Sequence, residues 1–187
     1  MNPEDNAFDW SAVELKLKQE KKIDLIHLIQ ELAIASWTTQ HFLHTRYLFS
    51  QDIDRRVQPY QQRINAQFEG DEARADFAQV AHIIAAYQLA SSNDGNGTAE
   101  LYVFALEVAF GFMRGTSLQD MDYSAELAEL AWDMVTHFNR FDDVYPQYKA
   151  RLQVICADLR QDYDYIDDLT TPFYQLEADM DSSEPFI

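Results

Sequence analysis

One cysteine, Cys156, stands among the 187 residues. A lone thiol closes no internal disulfide and builds no cysteine-rich zinc site. Glycine and proline are scarce as well, five of each. An all-β chain needs a turn about every 8–12 residues, and so few chain breakers do not supply them. Basic side chains are outnumbered, 14 Lys and Arg against 32 Asp and Glu, for a net charge of −18. A surface that holds phosphate backbones carries the opposite sign, and an anionic bilayer repels such a chain. Neither nucleic acid nor a membrane is therefore expected as a direct partner. No run reaches the roughly 18 apolar residues that a spanning helix requires. The first ten residues hold Glu4, Asp5 and Asp9, where a secretory signal would have a basic start and an apolar stretch. The expectation from these absences is a cytoplasmic protein.

What is present argues for a folded helical chain. Hydrophobic residues make up 47%, enough for a core, and the length suits one domain. Residues 1–187 are expected to form one all-α domain, frayed at 1–10 and 181–187. Ser11 and Glu14 form a capping-box pattern that opens a first helix. Over 23–37, Leu25, Leu28, Ile29, Leu32 and Ser36 share a helical face, with Asp24, His27 and Glu31 opposite. A short helix over 39–49 follows. The next, 51–68, is amphipathic through Ile53, Val57, Tyr60, Ile64 and Phe68, and Pro59 should bend or split it.

Periodicity then places helices over 72–90, 99–114, 124–141 and 144–166. Between Leu101 and Met113 only Glu107 is charged, so this helix belongs at the centre. The 124–141 helix turns Leu127, Leu130, Ala131, Met134, Val135 and Phe138 inward. The 144–166 helix does the same with Tyr148, Leu152, Ile155, Leu159 and Tyr163. Pro146 and Pro172 suit first helical turns, and Thr171 reads as the N-cap of a short last helix. Residues 91–98 make the clearest loop. Connections this short imply a bundle of about seven to nine helices in antiparallel hairpins. A stacked, solenoid-like shape stays open, although no repeat period marks it.

Charge is uneven along the chain. Residues 1–63 carry 8 basic and 9 acidic side chains, net −1, while residues 64–187 carry 6 and 23, net −17. Such charge serves solubility, and it also suits a basic protein partner. The acids thicken near the end, where Asp158, Asp162, Asp164, Asp167 and Asp168 form a candidate acidic interface. Like charges four apart on a helix repel, and near a C-terminus the helix dipole adds to that cost. Either the helix stops before Asp162, or the repulsion is tolerated, or the acids face something that neutralises them.

Residues 100–169 resemble a family of small, uncharacterised α-helical bacterial proteins. The residues that carry this are Ala105-Leu106-Glu107, Gly111, Asp120-Met121-Asp122, Val154-Ile155-Cys156-Ala157-Asp158 and the run from Asp162 to Leu169. Where the family would place a glycine and a tryptophan near the end, this chain has Tyr163 and Tyr165. The resemblance implies a helical fold and no particular activity. Residues 22–48 are similar in style to paired helices of bacterial helical-repeat proteins.

Catalytic and metal chemistry find little to stand on. The histidines are His27, His41, His44, His82 and His137. No Glu-x-x-His motif of the di-metal bundles occurs, and no metal or cofactor is expected. Cys156 lies beside an inner helix face, where a thiol is a small apolar filler. No strand–turn–helix elbow surrounds a serine, and no phosphate-binding glycine loop is present. Glu107 is the candidate buried acid, since a carboxylate in an apolar helix needs a donor, a proton or a cavity. Glu100, Glu107 and Arg114, seven apart, form one narrow stripe, and the simplest resolution is that it reaches the surface or pairs with a base elsewhere.

The leading functional expectation is a non-enzymatic protein-interaction or regulatory module with an acidic helical surface. Two alternatives accompany it: a DNA mimic that inhibits a nucleic-acid-binding protein, and a helical metal-binding protein or enzyme centred on Glu107.

Overall fold

The computed structural model describes residues 9–48, 52–69, 75–115, 121–163 and 167–183. Among them run nine α-helices and a 3-10 turn, with no strand. The helices are α1 (Trp10–Leu17), α2 (Lys22–Ala35), α3 (Trp37–Tyr47), α4 (Ile53–Asn65), α5 (Phe77–Ala90), α6 (Gly95–Gly115), α7 (Met121–Arg140), α8 (Tyr145–Tyr163) and α9 (Asp167–Ser183). The 3-10 turn, Asp142–Val144, leads into α8. None of these helices is long and apolar enough to cross a membrane.

Helix starts follow side-chain caps, and these move several expected boundaries. Asp9, not Ser11, caps α1 by accepting from the Ala12 N–H at 3.1 Å. Ordered structure therefore begins inside the stretch expected to fray, and α9 continues into the other such stretch as far as Ser183. Ser36 accepts from the Thr39 N–H and takes an extended backbone, which divides the expected 23–37 helix from α3. Asp52 and Asp76 cap α4 and α5 in the same way. Pro59 does not split α4, which runs on through it. Pro146 sits in the first turn of α8 as expected, whereas Pro172 lies inside α9, which starts at Asp167 rather than Thr171.

The loop before α6 is shorter than expected. Ser92 and Asn93 take left-handed backbone, φ 59° and 62°, and turn the chain within two residues. The Thr98 N–H then bonds the Asp94 carbonyl at 3.1 Å, so α6 opens at Gly95, four residues before the expected start. Gly97 is required here, because a Cβ would collide with the Tyr87 hydroxyl. That hydroxyl donates to the Asp94 carboxylate at 2.8 Å, and Arg56 reaches the same carboxylate at 2.9 Å. His137 and Tyr148 bond the Gly95 and Asn96 carbonyls at 2.8 and 3.0 Å. Helices α4, α5, α7 and α8 thus all hold the first turn of α6.

Helices pack against chain neighbours and against the next helix but one: α3 on α5, α4 on α6, α5 on α7, α6 on α8, α7 on α9. The result is two layers of stacked hairpins, with the odd helices from α3 in one and the even helices from α4 in the other. The core lies between them. Leu101, Val103, Ala105, Leu106, Ala109, Phe110 and Met113 of α6 are buried, as is the expected inner face of α7. On α8, Tyr148, Leu152, Ile155 and Leu159 are buried; the Tyr163 side chain lies outside the described residues.

The expected inner face of α2 is not buried. Leu25 is half-buried, while Leu28, Ile29 and Leu32 are exposed. This helix packs on α3, which is itself bolted to the stack: Trp37 meets the Tyr60 ring edge-on, and Arg46 bonds the Ala90 carbonyl at 2.8 Å.

Candidate functional site: the groove between α6 and α8

Seven residues advance a helix by almost two full turns. Glu100, Glu107 and Arg114 therefore stand in one row along α6, and Arg151 and Asp158 stand in a second row along α8. The two helices run the same way with α7 between them in sequence, and the rows meet. Arg151 donates to both Glu107 oxygens, at 2.8 and 2.7 Å, and to Glu100 at 2.6 Å. Gln61 of α4 donates to the other Glu100 oxygen at 3.0 Å. Almost two turns along, Arg114 pairs with Asp158 at 2.9 Å. The Glu107 hydrogen bonds lead the causes that hold the Arg151 guanidinium above its ordinary pKa, while partial burial opposes them.

Glu107 is therefore not a buried acid. Its side chain is 38% exposed and is held by a guanidinium that is 35% exposed. The apolar residues of α6 are distributed around most of the helix, but the Glu107 position falls on the seam with α8, where water reaches. A forked, two-point contact of this kind is the strong geometry for a guanidinium and a carboxylate. Arg151 was not singled out from the sequence. Its seven-residue spacing from Asp158, matching the α6 row, was the available signal.

Between the two ion-paired rungs the helices leave a groove of about 370 Å³. Its apolar lining comes from Phe110, Gly111, Ala150, Val154, Ile155 and Leu159. Val154 is 61% exposed. Gly111 has no packing reason to be glycine, since a Cβ there would meet nothing within 4 Å. Glycine within a helix costs about 0.5–1 kcal/mol relative to alanine. A second, more polar groove of about 490 Å³ lies beyond Glu100, lined by Gln58, Gln61, Asn96 and Gln147 among others.

The expected acidic interface is only partly within view. Asp158 is taken up by Arg114, and Asp168 is exposed on α9. Asp164 lies outside the described residues, as do the side chains of Asp162 and Asp167. Helix α8 runs through Tyr163, so it does not stop before Asp162. Arg160 lies over the Tyr174 ring at 6.0 Å.

Other candidates take ordinary places. Asp24, His27 and Glu31 are exposed on α2. His41 packs on Trp37 at 4.2 Å, and burial, helped by His44 and Arg63, lowers its pKa. His137 is buried against Gly95, and burial lowers its pKa too. Cys156 is half-buried at the core's edge, and burial raises its thiol pKa. Among the described residues no three His, Cys, Asp or Glu side chains gather as a metal site would need. No protein-family model, curated protein or solved structure matches the chain.

Proposed function

We propose that this protein is a non-enzymatic interaction module, and that its acidic half receives a basic segment of a partner protein in the groove between α6 and α8. The observation that carries this reading is Gly111, a helix glycine whose missing side chain leaves an apolar floor open to solvent. A partner's apolar side chain fits such a floor, and basic residues flanking it meet the surrounding net charge of −17 in residues 64–187. Opposite charge speeds such an encounter and selects its partners, while the buried apolar anchor holds it.

A DNA mimic draws on the same negative charge, but it needs free carboxylates along its surface. Glu100, Glu107 and Asp158 are each engaged by an arginine. The enzyme reading loses its starting point with Glu107, which is solvent-facing and doubly bonded.

The test fills the groove. Gly111→Leu should leave the fold as stable as the natural chain, or more stable by about 0.5–1 kcal/mol, because a helix residue replaces glycine over open space. Captured from extract of the source organism, the protein should retain a basic partner, losing it steeply as salt rises, and the variant should not retain it. Equal capture by the variant would remove the groove from the reading. A captured partner that duplex DNA displaces from both proteins would favour the mimic.

A further inference from the structure

The two ends of the helical stack differ. At the C-terminal end, α8 and α9 present acids such as Asp168 and Glu177. A polar outer face of this kind is what closes a stack of hairpins in water. At the N-terminal end stands α2, nine of whose fourteen residues are apolar and which nevertheless buries none of them. A helix of that composition ordinarily lies in a core. Ile23, Ile26, Leu28, Ile29, Leu32 and Ile34 are between 38% and 80% exposed. On α1, Trp10 and Leu15 are 56% and 64% exposed. Large apolar side chains gathered on one exposed segment mark an interaction surface.

Charge decides what covers it. Residues 9–48 hold five acidic and five basic side chains, against a chain total of −18. Two copies meet with least repulsion at this neutral end. An anionic membrane surface is unfavourable for the same reason, because the acidic remainder of the chain must approach with it. Stacking head to tail would bring α2 against the acidic end of another copy and bury those charges. We infer that the protein pairs with a second copy of itself, head to head, through the exposed apolar face of α2. A contact of this kind is the same patch on both partners, so it closes as a two-fold dimer and leaves no end for a fibre. It lies at the far end of the stack from the α6–α8 groove and is independent of the reading given for that groove.

The test uses the full chain. Sedimentation velocity over a range of concentrations should show a species of twice 21.7 kDa that dissociates on dilution. Leu28→Glu and Leu32→Lys, one turn apart on the same face, should each raise the dissociation constant at least about 100-fold, with an unchanged melting curve for the rest of the molecule, since neither side chain is buried in one protomer. A second measurement does not depend on charge: in a Cys156→Ser background, Leu28→Cys or Leu32→Cys should give a disulfide-linked dimer on mild oxidation, and Val154→Cys should not. A monomer at every concentration would overturn the inference. So would a dimer that both charge variants leave intact, or cross-linking through position 154 rather than through α2. Binding of the monomer to phosphatidylcholine–phosphatidylserine vesicles in place of pairing would overturn it in favour of a membrane-facing helix.

Discussion

Helices α2 and α6 read alike in the sequence and live in opposite surroundings. Each is mostly apolar, and each would be assigned to a core on composition alone. In α6 the residues Leu101, Val103, Leu106 and Ala109 are fully enclosed, while in α2 the least exposed isoleucine, Ile29, is still 46% open. The difference is one of position in the stack. Helix α6 has hairpins before and after it and a second layer against it, so all but its seam at Glu107 and Gly111 finds a neighbour. Helix α2 comes early in the stack and packs on α3. Hydropathy reports what a helix would accept as surroundings; the topology decides what a single chain supplies.

The widest gap between the two should appear on truncation. Leu106→Ala removes enclosed methyl groups from α6 and should cost about 2–5 kcal/mol. Leu32→Ala in α2 should cost below about 0.5 kcal/mol at concentrations where the chain is monomeric. Denaturant titration of both variants measures this directly, and equal losses would erase the distinction. Amide exchange on the same dilute samples should be slow across α6 and fast across α2.

A smaller effect separates the two kinds of charge. Glu107 and Arg151 make a forked pair at the surface, so a double-mutant cycle with Glu107→Ala and Arg151→Ala should give a coupling of about 0.5–1 kcal/mol. A coupling of 3 kcal/mol or more, the range of enclosed pairs, would mean that the seam excludes water.

The smallest effect should come with pH, and it touches both regions. Burial lowers the pKa of His41, on α3 beside Tyr60, and of His137, on α7 beneath the first turn of α6. A histidine whose folded pKa lies below its unfolded value of about 6.5 binds its proton more weakly in the fold. Its contribution is full above pH 6.5 and is lost as pH falls through 6.5 toward the lowered value. Melting temperature should therefore decline on that account between pH 7.5 and 5.5. His137→Gln keeps a donor for the Gly95 carbonyl and should flatten the decline, as should His41→Gln for its share. Identical pH profiles in all three proteins would sink the assignment.

Much of the fold was legible in the amino-acid order. The inner faces of α7 and α8 and the central place of α6 follow from apolar spacing that only one helical face can satisfy. Boundaries were less legible because they turn on rival caps: Asp9 outcompeted Ser11, and Ser36 broke a helix whose periodicity runs straight through it. Of the candidate site, the Glu100–Glu107–Arg114 stripe was visible as a spacing. Its partner row was not, because pairing between α6 and α8 depends on two helices separated by the whole of α7. The open Gly111 floor was hidden for a related reason. Glycine in a helix has the same letter whether a neighbour presses on it or nothing does.

The charged rows on α6 and α8 contribute little energy, yet they act as a vernier. Along the seam α6 reads minus, minus, plus, and α8 reads plus, minus. Sliding α8 forward by one heptad sets Arg151 beside Arg114; sliding it back sets Asp158 beside Glu107. Leucine and isoleucine at heptad spacing would accept either slip with only modest loss, since one apolar residue follows another at the same interval. The ion pairs accept one alignment only. In a core built from repeating apolar turns, a few solvent-exposed charges thus carry the positional information that the buried side chains lack.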